Sequence, residues 1–157
     1  MRTLRLRLAT LADAPAVAEM SRELIETGLS WRYTARRMTA LMLGRDNVVL
    51  VADEAAVPSG FAVMQFGDEQ AHLSLLCVQP SRQRSGLGRR LHAWLLASAG
   101  VAGIAHIDLE LRADNPGAHA FYRSLGYLDT QRVPGYYDGR LAAQRMRLTL
   151  RQEARSA

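Results

Sequence analysis

The sequence predicts an α/β (α+β) fold: a mixed, mostly antiparallel central sheet of about seven strands with one parallel crossover pair, flanked by about four helices. Two observations carry this prediction. Three apolar runs in the middle of the chain, over residues 47–52, 60–66 and 72–78, follow one another across turns too short for anything but antiparallel pairing. The third run is then separated from the apolar strand His106–Leu111 by a single helix-patterned segment, the order of a right-handed parallel crossover. With 157 residues, 48% of them hydrophobic, the chain can bury one core without disulfides, so a single domain over 1–157 is expected.

Each element has its own signal. Leu4, Leu6 and Leu8 alternate with Arg5 and Arg7, the period of a strand with one buried face. Thr10 and Asp13 have capping-box spacing, Pro15 suits an early helical position, and Val17, Met20 and Leu24 recur at helical intervals. They predict a helix over Ala14–Glu26. Thr34 caps a second helix whose apolar positions Met38, Leu41 and Met42 end at Gly44. The link between them carries Trp31 and Tyr33. A turn is expected over Asp53–Ser59 and another at Gly67-Asp68-Glu69, between the strands of the meander. Leu87, Leu91, Trp94 and Leu95 share one face of a helix that stops near Gly100. Asn115-Pro116 is a helix start with cap and N1 proline in place, Ala118, Phe121 and Leu125 form its apolar stripe, and Gly126 closes it. Strand character over 127–132 and 144–150, flanking a loop over 133–139, predicts a closing hairpin.

Composition narrows the function classes. All 20 basic residues are arginine, and against 15 acidic residues they give a formal charge of +5, which suits an anionic ligand. The arginines are spread along the chain and aromatic content is only 6%, so no stacking platform for nucleic acid is visible and nucleic acid is disfavoured as a partner. Cysteine occurs once, as Cys77 in an apolar run, which excludes a disulfide framework. His72, His92, His106 and His119 have no paired metal spacing, so no metal is expected and structural or solvent-facing roles are assigned to them. Met1–Ala9 lacks the apolar block of a signal peptide and no run approaches a membrane span. The expectation is a soluble cytoplasmic protein with no membrane partner, a monomer or homodimer.

The stretch Gln83-Arg84-Ser85-Gly86-Leu87-Gly88 lies between a strand and a helix N-terminus. Glycines there let the backbone turn its N–H groups outward, and the helix adds unpaired donors and a partial positive charge, a setting that binds phosphate. Arg82, Arg84, Arg89 and Arg90 crowd the same loop. Gln83, Gly86 and Gly88 fill the acyl-CoA signature of the GCN5-related N-acetyltransferase (GNAT) superfamily, which the chain resembles. Asn115, Ala118, Phe121, Tyr122, Gly126 and Tyr127 fill a second pattern of that family, in the right order and separated by a helix and a strand of suitable length. Within the family, Leu109-Glu110-Leu111-Arg112-Ala113-Asp114-Asn115 is most similar to the branch that acetylates the N-terminal alanine of a ribosomal protein. Leu141-Ala142 stand where that branch presents an acidic pair.

The resemblance implies acetyl-CoA as donor, Glu110 as general base and Tyr122 as general acid. It further implies that the backbone of Leu76, Cys77 and Val78 holds the acetyl end, that the loop from Arg84 through Ser85, Gly86, Leu87, Gly88 and Arg89 holds the pyrophosphate, and that Asn115 contacts the CoA arm. The chemistry agrees with these roles. An amine must lose a proton before attacking a thioester, and His106, Asp108 and Glu110 share one face of a strand expected inside the sheet, where polar side chains need a reason. Backbone N–H groups at the end of the Val78 strand are candidate donors to the oxyanion where a bulge leaves them unpaired. A tyrosine with a reference pKa of about 10 can return a proton to a thiolate of about 8.5. Trp31, Tyr33, Tyr136 and Tyr137, in expected loops, are candidates to line the acceptor site. The expected function is transfer of the acetyl group to a primary amine by direct attack in a ternary complex. The acceptor stays open between a protein N-terminus, a lysine side chain and a small amine, and a non-catalytic acyl-CoA-binding module is the alternative from another class.

Overall fold

A computed structural model describes residues 4–54 and 57–151. Seven strands are hydrogen-bonded in the order β1-β2-β3-β4-β5-β7-β6: β1 (Arg5–Leu8), β2 (Asn47–Asp53), β3 (Pro58–Phe66), β4 (Gln70–Val78), β5 (His106–Arg112), β6 (Leu128–Tyr137) and β7 (Leu141–Thr149). The four α-helices among the described residues are α1 (Ala14–Met20), α2 (Ala35–Leu43), α3 (Leu87–Val101) and α4 (Pro116–Ser124). β4 and β5 are parallel, while β1–β2, β2–β3, β5–β7 and β6–β7 are antiparallel. The mixed, mostly antiparallel sheet with one parallel pair is therefore the one the sequence predicts.

Two compact units make up the chain, Met1–Phe66 with Leu73–Ser98 and Gly67–His72 with Ala99–Ala157. In the first, Val17, Ala18 and Met20 of α1, Met38 and Leu41 of α2, and Val49, Val51, Phe61, Val63, Leu75 and Cys77 of the strands form one buried cluster. The apolar periods of 3.6 and 2 meet there: helix positions three and four apart face strand positions two apart. α2 is capped as expected, Thr34 Oγ1 accepting from Arg37 N at 3.3 Å.

The first unit departs from expectation in three places. Leu8 is 58% exposed, so β1 has no leucine-lined buried face. The partly buried Arg7 decides its orientation, donating to Asp53 Oδ2 at 2.8 Å and to Asp13 through two nitrogens at 2.7 and 3.0 Å. The first helix is not uniform either: a 3₁₀ turn over Leu11–Asp13 leads into α1, and Ser21–Ile25 form a π turn closed by Glu26 N–H on Ser21 O at 2.7 Å. Thr10 N–H does meet Asp13 Oδ2, at 2.7 Å. Finally, Pro58 and Ser59 open β3 instead of ending a turn, with a register irregularity at Ala52/Asp53 absorbing the offset. Residues 55 and 56 of the expected turn lie outside the described residues.

In the second unit, β5 alternates partly buried His106, Asp108, Glu110 and Arg112 with buried Ile107, Leu109 and Leu111. α4 begins at an Asn115 cap whose Oδ1 accepts from Ala118 N at 3.0 Å, a contact that contributes about 1 kcal/mol in such positions. The closing hairpin forms, but its strands are longer than expected: β6 runs on through Tyr137 and β7 begins at Leu141. An irregularity between Val133 and Tyr137 lets the strand pass Pro134, which has no N–H to give. The reversal is made by Asp138 at φ 54° and Gly139 at φ 69°, the left-handed pair of a tight hairpin turn.

Candidate active site

The glycine loop, the expected cofactor site, lies in the first unit. After β4 the chain makes a 3₁₀ turn over Pro80–Arg82, then reaches α3 through an exposed stretch in which Arg84 has φ 65° and Gly86 φ 84°. Left-handed backbone is what glycine adopts without a steric penalty, and no heavy atom stands within 4 Å of where a Cβ at Gly86 would be. The first hydrogen bond of α3 runs from Arg90 N–H to Gly86 O at 3.0 Å, so Leu87, Gly88 and Arg89 form the first turn, where helix amides point out of the end. Open space, a turned backbone and a 15-residue helix behind it fit a pyrophosphate.

Not every loop residue does what its neighbourhood suggests. Gln83 braces the loop from within, its Nε2 donating to Val78 O at 3.3 Å. Arg82 forms an ion pair with Glu54, which matches part of the positive charge of the loop. Along β4, Leu76 and Val78 are half-buried and Cys77 is buried. Burial alone pushes the Cys77 thiol up to about 12, which keeps it protonated and rules it out as a nucleophile. Gln79 N–H, just past Val78, donates to Ser59 O at 2.9 Å and is therefore not left unpaired by a bulge.

The polar face of β5 and the helix of Tyr122 lie in the second unit. Glu110 stands on the polar face of β5 with both oxygens engaged: His72 Nε2 bonds Oε2, and Arg145 Nε donates to Oε1 at 3.3 Å. The register explains both contacts. Arg145 of β7 is the direct partner of Glu110, and His72 of β4 is the partner of Asp108, two residues before Glu110 on the same face. Asp108 is bound by its own partner Arg147 through two nitrogens, at 2.7 and 3.1 Å. The His72 hydrogen bond first, and then Arg145, hold the Glu110 carboxyl below its ordinary range against the opposing effect of burial. Glu110 is therefore ionised throughout the neutral range.

Tyr122 lies on α4, 8% exposed, its ring edge-on to Phe121 at 5.2 Å and to Tyr127 at 5.5 Å. Burial, with smaller effects from Tyr122 and Asp108, raises the Tyr127 hydroxyl pKa, so it stays protonated. Asn115 is engaged as the helix cap described above. Of the acceptor-site aromatics, Trp31 and Tyr33 lie on the predicted link, beneath the guanidinium groups of Arg22 (5.0 Å) and Arg37 (4.1 Å). That link is fixed by the buried carboxylate of Glu26, which accepts from Ser21 Oγ at 2.9 Å and from the amide of Arg32 at 2.7 Å. Tyr136 and Tyr137 belong to β6, not to a loop, and meet edge-to-face at 4.9 Å, with Arg145 5.8 Å above Tyr136.

Sequence reasoning missed His72 and Arg145. The available signal was alternation: His72 sits in phase with the polar positions of β4, and Glu110 in phase with those of β5. The remaining histidines behave as expected. His92 is buried, with its pKa lowered first by burial and then by Arg89, and His119 meets Asp129 at 2.8 Å. Among the described residues no group of three or more His, Cys, Asp or Glu side chains could hold a metal ion, and no helix is long and apolar enough to cross a membrane.

Known proteins similar to this chain are acetyltransferases. Residues 16–150 match a family model described as an acetyltransferase (GNAT) domain. A curated relative, the [ribosomal protein bS18]-alanine N-acetyltransferase of Escherichia coli strain K12, is 39% identical over 85 residues, a match covering 52% of this chain and 57% of that protein's length. Among solved structures, the ribosomal-protein-S18-alanine N-acetyltransferase of Escherichia coli superposes with a TM-score of 0.82 at 26% identity, covering 99% of both chains. The structure of yncA from Salmonella typhimurium with its cofactor acetyl-CoA does so with a TM-score of 0.80 at 25% identity, over 99% of this chain and 98% of that one.

Proposed function

The chain belongs to the GNAT acetyltransferase family, and from that membership we propose that it transfers an acetyl group from acetyl-CoA to a primary amine, a protein N-terminal α-amine first among the acceptors. The observation that carries the proposal is Glu110, a carboxylate kept ionised by His72 and Arg145 on the segment that leads into the capped helix of Tyr122. The relatives named above, which act on the N-terminal alanine of a ribosomal protein, support the α-amine. So does the lower proton affinity of an α-amine, with a reference pKa of about 7.7 to 8.0 against about 10.4 for lysine, which asks less of a weakly basic carboxylate. Leu141-Ala142, which open β7 in place of an acidic pair, favour an acceptor segment less basic than a ribosomal protein.

Bound acetyl-CoA supplies a thioester, from which the acetyl group leaves as an N–C bond forms and the C–S bond breaks. Gly86, Leu87, Gly88 and Arg89, with Arg84 and Ser85, hold its pyrophosphate on backbone amides and guanidinium charge, and Gln83 keeps that loop in shape. The backbone of Leu76, Cys77 and Val78 holds the acetyl end, and Asn115 lies against the CoA arm. Glu110 provides the anion that draws the proton from the amine, directly or through water. Tyr122 returns a proton to the departing sulfur. Because the single cysteine is a buried, protonated thiol, the amine attacks directly in a ternary complex and no acetyl-cysteine forms. A lone reduced thiol also suits a cytoplasmic setting, and the span of the family match supports one acetyltransferase domain, working as a monomer or homodimer.

The test is a panel of acceptors with mass detection of products: peptides with N-terminal alanine, serine or methionine, an N-blocked peptide with one lysine, and spermidine. The expected product is the α-acetylated peptide. Product on the lysine peptide or spermidine alone would replace the α-amine by that acceptor. Acetyl-CoA binding without any product would leave a non-catalytic module.

A further inference from the structure

Resting on the acetyltransferase reading, in which Glu110 is the base, we propose that Arg145 selects the acceptor: its guanidinium binds a carboxylate on the side chain of the first residue, so the preferred acceptor is a polypeptide with an acidic N-terminal residue. Arg145 of β7 is the register partner of Glu110 on one side and of Gln131 on the other, which places the three on one rung of the sheet. A group bound by Arg145 therefore lies beside the amine that meets Glu110.

The arginines of this face differ in how they are matched. Arg147 grips Asp108 through two nitrogens, at 2.7 and 3.1 Å, and Arg112 grips Asp114 through two, both at 3.0 Å. Arg145 has no such paired grip. It gives Glu110 Oε1 one hydrogen bond from Nε at 3.3 Å and turns Nη1 to the neutral amide oxygen of Gln131 at 3.0 Å. Nη2 donates to none of the described residues, and the side chain is 40% exposed against 16% for Glu110. A planar guanidinium with an open edge is shaped for a carboxylate. The donor is also held in place, between Gln131 and the ring of Tyr136, whose centre lies 5.8 Å from its carbon. A group already fixed loses less freedom when its ligand docks.

Side by side, Glu110 and Arg145 present an anion and a cation. An N-terminal aspartate or glutamate carries the complementary pair, an ammonium for Glu110 and a side-chain carboxylate for Nη2 of Arg145. As Glu110 takes the proton of the amine it loses its own charge, and the carboxylate of the acceptor then keeps the guanidinium matched. An N-terminal alanine leaves Nη2 to water, whereas an N-terminal arginine sets like charge against it. The uncharged Leu141-Ala142 at the start of the same strand likewise offer no anion to a basic acceptor.

The test compares kcat/KM of the full chain, at saturating acetyl-CoA, for hexapeptides that differ only in beginning with aspartate, asparagine, alanine or arginine. At about pH 9 an α-amine of reference pKa about 7.7 to 8.0 is largely neutral in all of them, so differences in amine ionisation drop out. Aspartate should exceed asparagine, its uncharged counterpart of the same size, by about tenfold, the effect of one charge-assisted hydrogen bond. Arg145→Gln lowers the overall rate because Glu110 loses a partner, but the ratio of the two peptides is the readout, and it should fall to about one. Arg145→Lys should keep part of it. The same ratio, taken from peptide Kd values measured by calorimetry with CoA bound, does not depend on turnover. A wild type that takes aspartate no better than asparagine, or an Arg145→Gln protein that keeps the wild-type ratio, overturns the assignment and leaves the acetyltransferase reading standing, as does product confined to the lysine peptide or spermidine. A wild type that acetylates none of these peptides and no amine of the panel removes that reading and the assignment with it.

Discussion

The cofactor loop and the charged strand face are built by opposite devices. The loop, Gln83 to Gly88, works through its backbone: a left-handed Gly86, the amides of a helix end, and a glutamine spent on bracing the turn. The face made by His72, Glu110 and Arg145 works through side chains that come from three strands and meet only because the register puts them together. A backbone device needs particular residues at fixed spacing, and a side-chain device needs only partners at the right rung. The first kind can be disabled by one change of residue shape; the second is disabled by one change of charge.

Substitutions that respect shape or charge separately should tell the two apart. The largest effect is expected for Glu110→Gln, which keeps the size of the side chain and removes its anion: kcat should fall by about a hundredfold or more while the acetyl-CoA Kd, read by calorimetry, stays within about twofold. Equal losses in both would place Glu110 with the binding residues. Tyr122→Phe preserves the edge-to-face packing with Phe121 and Tyr127 and should lower kcat by about tenfold to a hundredfold, again with little change in affinity. Gly86→Val reverses the pattern. Left-handed backbone costs a β-branched residue about 1–2 kcal/mol, so affinity for CoA should drop about tenfold while turnover at saturating donor is largely retained.

The smallest effect lies outside both regions, in the pairing of Arg7 with Asp13. The hydrogen bonds from Arg7 come first among the causes that hold the Asp13 carboxyl at about 2, against an ordinary value of 3.8. A lowered pKa contributes stability that is present above the unfolded value and is lost as pH falls from 3.8 through about 2. Asp13→Asn should therefore flatten the acid limb of the urea midpoint in that window, by less than about 1 kcal/mol because the pair is solvent-screened. An unchanged acid limb would show the pairing to be stability-neutral.

This contrast also decides what could be read from the sequence. The loop and the Asn115 cap were legible because each rests on residues a few positions apart, and the parallel crossover because a strand, a helix and a strand follow one another along the chain. Glu110 was legible as a polar residue out of place in an interior strand. His72 and Arg145 were not, since 38 and 35 residues separate them from Glu110 and only the register unites them. β1 was misread for a related reason: Leu8 fits the alternation, but Arg7 has carboxylates on both the following turn and β2, and those pairs outweigh a leucine face. The extension of β6 past Pro134 depends on an irregularity in pairing that no single residue announces.

The ends of the strand order carry one more consequence, for association between molecules. β1 is four residues long with Arg5 and Arg7 on it, and β6, though ten residues long, is interrupted by Pro134 and a break in register. Short length, charge, proline and irregular pairing are the means by which sheets refuse an added strand. With no lysine in the chain, arginine does this guarding. Edge-to-edge polymerisation is thus opposed at each terminal strand by features of that strand itself, independently of the chemistry carried farther inside.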